Sequence, residues 1–138
     1  MTGKELDMEH CWFAGIDWSS QEHRVHVSDE LGAKLGARSF SHDGAGLAAM
    51  AEWMLKITGA PPEAMWVAIE TPHGPVVESL MERGFRLHPI NPKQLDRFRD
   101  RFSPAGAKDD SRDAEVLASA LRTDPHCLRP IDPVDLTV

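Results

Sequence analysis

Runs of apolar side chains divide the first forty residues into three segments. Residues 11–18 form a nearly continuous apolar run that ends at an acid, which is typical of a buried central strand. Residues 23–28 alternate apolar and polar side chains, which predicts a strand with one buried face. After a turn at residues 29–32, residues 34–40 predict a third strand. The beginning of the chain therefore predicts a three-stranded meander.

Helical and strand patterns alternate after the meander. Apolar residues recur at helical spacing between Leu47 and Ile57, and Gly59 is placed to end that helix. An apolar run over residues 65–70 again ends at an acid and predicts a fourth strand. Pro75 favours the first turn of a second helix. This region therefore predicts helix, strand and helix in succession.

The remainder of the chain predicts one more strand and two more helices. Residues 85–90 predict a strand, and Asn91 followed by Pro92 opens a short helix. A last helix opens within residues 108–114. The complete order is βββαβαβαα, in which strand–helix–strand units imply parallel pairing with right-handed crossovers. This is the order of the ribonuclease H-like fold, an α/β class with a mixed sheet and helices on both faces.

The last predicted helix carries two acids on its apolar face. Asp110 and Asp113 lie in one helical stripe with Leu117 and Leu121. A carboxylate that faces a core costs on the order of several kcal/mol unless it is neutralised, and hard divalent cations take oxygen ligands. N-capping and the helix dipole explain Asp109 without any chemistry, but they do not explain Asp113.

Two further acids end the strands that are predicted to be central. Asp17 ends the first apolar run and Glu70 ends the second. In open α/β sheets, sites form beyond the carboxyl ends of the strands. If the last helix crosses this edge, four carboxylates converge and can hold two Mg²⁺ or Mn²⁺ ions about 3.5–4 Å apart for in-line phosphoryl chemistry. Because like charges repel, replacing any one of the four acids by its amide is expected to raise the stability of the metal-free protein.

Composition limits the function classes. The 138 residues fit one domain, and the net charge of −7 argues against a generally basic protein that coats nucleic acid. No apolar run approaches the roughly 20 residues that span a bilayer, so no membrane partner is expected. Two cysteines without metal-ligand spacing indicate a reducing, cytoplasmic compartment. The expected organisation is a frayed segment 1–10, one domain over 11–124 and a Pro-rich tail over 125–138.

A basic segment with interleaved aromatic residues lies before the last helix. Lys93, Arg97, Arg99 and Arg101 alternate with phenylalanines, a pattern that can follow a nucleic-acid backbone. The alternative is a solvated helix whose arginines pair locally with Asp96 and Asp100. The candidate phosphate contacts are Lys93, Arg97, Arg101, Lys108 and Arg112.

Four segments together resemble one protein family. They are Gly15–Ser20, Ala68–Gly74, Ile90–Gln94 and Lys108–Ala114. In this order they resemble the N-terminal DEDD domain of the insertion-sequence transposases related to Piv-type DNA invertases, over residues 12–124. The family pattern Lys-x-Asp-x-x-Asp-Ala is met within Lys108–Ala114. The loop that follows Glu70 departs from the small, Gly-rich loop that the family leads us to expect.

The resemblance implies a RuvC-like fold and a DNA recombinase that cleaves and transfers strands. It implies that Asp17, Glu70, Asp110 and Asp113 are both catalytic residues and metal ligands, for two Mg²⁺ or Mn²⁺ ions. It also implies DNA and a structured guide RNA as partners, a homo-oligomer, and a location in the bacterial cytosol or nucleoid. Family members carry a serine nucleophile in a C-terminal domain, to which residues 125–138 would lead and which this chain does not contain.

Three alternative functions remain open at this point. The first is a stand-alone nuclease similar to Holliday-junction resolvases. The second is an ATP-binding phosphotransferase, because Gly15–Ser20 is faintly similar to the first phosphate loop of sugar kinases and actin, although the other motifs of that group are not found. The third is a non-catalytic module that binds RNA or dimerises. His73, just past Glu70, is a further candidate for a position near the scissile phosphate.

Overall fold

The computed structural model describes residues 11–70, 74–102 and 110–131, without the side chains of residues 102 and 110–112. Its five strands form one sheet in the order β3-β2-β1-β4-β5. The strand β2 is antiparallel to β1 and β3, whereas β1, β4 and β5 are mutually parallel. The strands are β1 (Trp12–Asp17), β2 (Glu22–Ser28), β3 (Lys34–Ser41), β4 (Met65–Ile69) and β5 (Arg86–Pro89).

Four α-helices complete the predicted order βββαβαβαα. The helices are α1 (Gly44–Thr58), α2 (Pro75–Glu82), α3 (Pro92–Phe102) and α4 (Asp110–Thr123), with short 3₁₀ turns at Pro62–Ala64 and Pro125–Cys127. This arrangement confirms the predicted α/β class and the ribonuclease H-like order of elements. No helix in the described part of the chain is long and apolar enough to cross a membrane.

Local signals in the sequence account for the ends of the helices. The Asp43 carboxylate accepts a hydrogen bond of 2.6 Å from the Gly46 N–H at the start of α1. Gly59 ends α1 in the left-handed conformation at φ 68°, which glycine adopts without steric cost. At the start of α3, the side chains of Asn91 and Gln94 bond each other's backbone N–H at 2.8 and 3.2 Å, as in a capping box.

The sheet has a separate apolar cluster on each face. Ala14 and Ile16 of β1 belong to the cluster that contains buried residues of α1 and α2. Phe13, which alternates with them, belongs to the cluster that contains buried residues of α4. The prediction of helices on both faces of the sheet is therefore confirmed.

The helix α4 lies directly on β1 at Gly15. A Cβ atom at Gly15 would lie 2.0 Å from the Ala114 carbonyl oxygen and 2.7 Å from the Ala118 nitrogen. Every other amino acid has a Cβ atom, which would collide with helix backbone this close to the strand. Gly15 therefore allows α4 to approach the sheet this closely.

Residues 125–131 pack against the domain. Leu128 is buried in the α4-side cluster, and its carbonyl oxygen accepts a hydrogen bond of 2.7 Å from His88 Nδ1. The Ile131 N–H donates to the Leu87 carbonyl oxygen at 2.7 Å. The described part of the expected tail is thus attached to β5, whereas the domain boundary at 124 stays a prediction.

Candidate active site

Asp17 and Glu70 lie side by side at the carboxyl edge of the parallel strands. The last parallel pair between β1 and β4 is Ile16 with Ile69, and each acid is the next residue along its strand direction. Strand alternation places Asp17 on the face of Gly15, which contacts α4, and Glu70 on the face of Ala68, which belongs to the α4-side cluster. Both acids are half-buried. The structure therefore brings these two predicted site residues to one edge and one face.

The first turn of α4 lies toward the same edge. Ala114, directly after Asp113, lies over Gly15. At the other end of α4, the Arg122 guanidinium lies 2.8–3.1 Å from the position that a Cβ atom at Gly32 would take. Gly32 is in the turn between β2 and β3, which lies at the amino end of β1. The helix α4 therefore runs antiparallel to β1. Asp113, in the first turn of α4, lies toward the edge that carries Asp17.

A salt bridge from α3 holds the Asp113 carboxylate. Arg99 donates from Nε to Oδ1 at 2.9 Å and from its terminal nitrogen to Oδ2 at 2.7 Å. A second terminal nitrogen of Arg99 donates to Asp96 Oδ1 at 2.7 Å. The hydrogen bond to Asp113 is the main reason that the pKa of Arg99 is raised. The sequence interpretation anticipated pairing with Asp96 but missed the partner on α4, because α3 and α4 meet only in the folded chain.

Arg24 extends the row of charged residues and was also missed. It is the antiparallel partner of Asp17 on β2, so the row across the edge is Glu70, Asp17 and Arg24. Arg24 also donates to the Ser39 hydroxyl of β3 at 3.4 Å. Strand alternation alone marks Arg24 as polar beside buried valines, but only the register between β1 and β2 places it opposite Asp17.

The loop between Asp17 and β2 is organised by Ser19 and His23. The Ser19 hydroxyl accepts from the Glu22 N–H at 3.1 Å, and the Ser19 N–H donates to His23 Nδ1 at 3.2 Å. His23 Nδ1 is thus an acceptor, so Nε2 carries the proton and donates to His42 Nδ1 at 2.8 Å. Burial, and secondly His42, lower the pKa of His23. Trp18, directly after Asp17, is 44% exposed at the rim of the edge.

The other predicted site residues divide into three groups. Asp110 is the first residue of α4, but its side chain and that of Arg112 lie outside the description, as do Thr71–His73, Lys108 and Asp109. Lys93 and Arg97 are exposed on α3. Arg101 is paired with Asp124 at 2.7 Å and lies 4.9 Å from the centre of the Phe98 ring. Hydrogen bonds from Arg101 and then from Thr123 lower the pKa of Asp124.

The donor chemistry at the edge fits a hard divalent cation, because Asp17, Glu70 and Asp113 offer carboxylate oxygens. The three do not form a group whose ligand oxygens all lie within 4.8 Å of one another. Among the described residues, Asp124, His126 and Cys127 form a group whose ligand atoms all lie within 4.8 Å of one another. Because Arg99 occupies both oxygens of Asp113, the assignment of Asp17, Glu70, Asp110 and Asp113 as metal ligands stays a prediction.

Comparison with known proteins identifies the family. The sequence profile of the DEDD transposases of IS110-type elements matches residues 14–138. The chain belongs to this family. It is 61% identical over 124 residues to a protein named as transposase y4uE from Sinorhizobium fredii, with 89% of the chain and 34% of that protein covered. It is 37% identical over 119 residues to a mini-circle transposase for IS117 from Streptomyces coelicolor, with 86% of the chain and 29% of that protein covered.

The chain thus spans about a third of the length of these curated relatives. Among solved structures, it is similar to the large terminase nuclease from thermophilic phage G20c, at 17% identity and a TM-score of 0.46. That alignment covers 70% of this chain and 51% of the terminase chain. A likeness at this level carries no argument about function. The family membership confirms the resemblance on which the transposase interpretation was based.

Proposed function

We propose that this chain is the part of a DNA transposase that holds divalent metal ions for cleavage and transfer of phosphodiester strands. The observation that carries the proposal is the placement of Asp17 and Glu70 side by side, on the face that α4 covers, with Asp113 directed to the same edge. The family membership supports DNA as the substrate.

The acidic residues at the edge have the proposed role of metal ligands. Asp17, Glu70, Asp110 and Asp113 would hold two Mg²⁺ or Mn²⁺ ions, which supply activation of the attacking oxygen and stabilisation of the leaving oxygen when they are bound. The strands β1 and β4 hold two of these acids on a rigid frame, because Asp17 and Glu70 continue a paired parallel register.

Cationic side chains around the edge would orient the DNA. Arg24 lies directly opposite Asp17, and Lys93 and Arg97 are exposed on α3. Charges of this kind position a phosphate backbone without reading the base sequence. By family resemblance, we also propose a structured guide RNA, other copies of the chain, and a serine nucleophile from outside these residues as parts of the complete reaction.

The test is thermal unfolding of the chain during a Mn²⁺ titration. Ligand binding to the folded state adds RT ln(1 + [L]/Kd), which is about 2.7 kcal/mol at a hundredfold excess over Kd. We expect this gain in the wild type and its loss in Asp17→Asn and Glu70→Gln. Glu52→Gln, an exposed acid on α1, is the matched control and should keep the full gain. Absence of any Mn²⁺ effect in the wild type would contradict the proposal.

A further inference from the structure

Arg99 bridges two acids that belong to different parts of the molecule. Three of its nitrogens are engaged, two with Asp113 on α4 and one with Asp96 one turn earlier on α3. The side chain of Asp113 is 17% exposed, whereas that of Asp96 is 69% exposed. The contact with Asp113 is therefore the protected one, and the contact with Asp96 is open to water.

The bidentate geometry makes Arg99 a competitor for any cation at Asp113. A guanidinium fork that binds both carboxylate oxygens forms a charge-assisted pair, which is stronger and more directional than a single hydrogen bond. Because Oδ1 and Oδ2 of Asp113 both accept from Arg99, a metal ion at Asp113 would share the carboxylate with a positive charge that repels it.

Arg99 has an alternative position close at hand. The Asp96 carboxylate already accepts a hydrogen bond of 2.7 Å from it, and both residues lie on the same helix face at i, i+3. If Arg99 left Asp113, it would keep one anionic partner, and its side chain, already 39% exposed, would gain water contacts. Release from Asp113 therefore needs a change of side-chain position and no movement of α3.

We propose that Arg99 is a positioning residue that occupies the Asp113 carboxylate before metal binds and so sets the metal affinity of the site. This inference rests on the proposed function, because it takes Asp113 as a metal ligand. By linkage, the favourable interaction free energy between Arg99 and Asp113 weakens the free energy of metal binding at Asp113 by up to the same amount.

The experiment compares Mn²⁺ affinity by isothermal titration calorimetry for the wild type and for Arg99→Gln. We expect Arg99→Gln to bind Mn²⁺ up to about fivefold more tightly, because the competing cation is gone. Arg99→Lys keeps the charge but loses the fork, so its affinity should lie between the two. Arg83→Gln makes the same change of charge at an exposed position after α2 and should leave the affinity unchanged.

A second variant ties the effect to Asp113. In Arg99→Gln/Asp113→Asn, the gain from Arg99→Gln should disappear, because the oxygens for which arginine and metal compete have changed. Equal or weaker binding by Arg99→Gln, with normal binding by the wild type, would overturn the role of Arg99 and leave the metal site standing. Absence of binding in both proteins would overturn the metal site and the role of Arg99 together, whereas binding by Arg99→Gln alone would support both.

Discussion

The two faces of the sheet differ most at the carboxyl ends of β1 and β4. On the face covered by α1 and α2, these ends carry the fully buried Ile16 and Ile69. On the face covered by α4, the next positions along the same strands carry Asp17 and Glu70. One face thus continues its apolar core to the edge, while the other replaces it with charge. The difference teaches that one face ends in packed side chains, whereas the other ends in the charged residues for which we propose metal binding.

On the α4 face, helix backbone lies directly against the sheet at Gly15, and Gly15→Val tests this close approach with the largest expected effect. The new side chain would collide with the Ala114 carbonyl and the Ala118 nitrogen, so α4 would have to move away from β1. We expect a loss of at least about 3 kcal/mol in the free energy of unfolding, measured by urea denaturation. Gly44→Ala, at which a Cβ meets no atom within 4 Å, is the control. A comparable loss at Gly44 would mean that the close approach is not the cause.

Ile69, the last residue of β4, and Glu70, directly after it, compare the faces. Ile69→Ala removes a fully buried side chain from the α1 face and should cost about 3 kcal/mol through lost burial and a new cavity. Glu70→Gln changes the α4 face and should leave the metal-free stability within about 0.5 kcal/mol, while removing the stabilisation by Mn²⁺. Chemical denaturation with and without Mn²⁺ measures both. If Glu70→Gln were as destabilising as Ile69→Ala without metal, the division between the two faces would be wrong.

His88 is a buried titratable group on the α4 face. His88 stacks on Trp66 at 5.3 Å between ring centroids and donates from Nδ1 to the Leu128 carbonyl oxygen. Burial lowers the pKa of His88 to about 4, from an unfolded value of about 6.5. Below pH 6.5 the unfolded chain takes up the proton first, so stability falls as the pH decreases, until the folded state also protonates near pH 4.

The expected loss from His88 is about 2 kcal/mol between pH 7 and pH 5. It is measured as the difference in pH dependence between the wild type and His88→Gln, which removes the contribution of this group from the total. An unchanged slope in His88→Gln would show that the group does not remain neutral in the fold.

The smallest expected effect concerns the salt bridge at the charged edge. Without metal, Asp113→Asn should lose about 1 kcal/mol, a modest value because Arg99 is partly in solvent. Repulsion among the four acids alone predicts the opposite, a gain in metal-free stability when Asp113 becomes an amide. A double-mutant cycle with Arg99→Gln isolates the coupling, and Asp96→Asn should cost less because that pair is more exposed. Additive losses in the cycle would show that the pair contributes nothing to the metal-free fold.

The order of the elements was predictable because its signals are local. Asp43, Gly59, Pro75 and Asn91 each begin or end a helix through contacts within a few residues. The acids at the ends of β1 and β4 were also visible, since each follows a buried apolar run. The parallel pairing that joins them is of the kind that a connection through a helix makes.

The partners of the charged side chains were not predictable in the same way. Arg24 lies opposite Asp17 through the register between two strands, and Arg99 reaches Asp113 because α3 packs beside α4. Neither placement has a signal at fixed spacing, since the residues in each pair are 7 and 14 positions apart on different elements.

By itself, therefore, the sequence determined the elements, their order and the two acids at the strand ends, because periodicity and capping act over a few neighbouring residues. Only the tertiary structure decided the direction of α4 across β1, the position of Arg24 beside Asp17 and the pairing of Asp113 with Arg99. These depend on strand register and helix packing, which many distant contacts set together. The Asp113 carboxylate, which the sequence placed on the last helix, thus acquired its arginine partner only on folding.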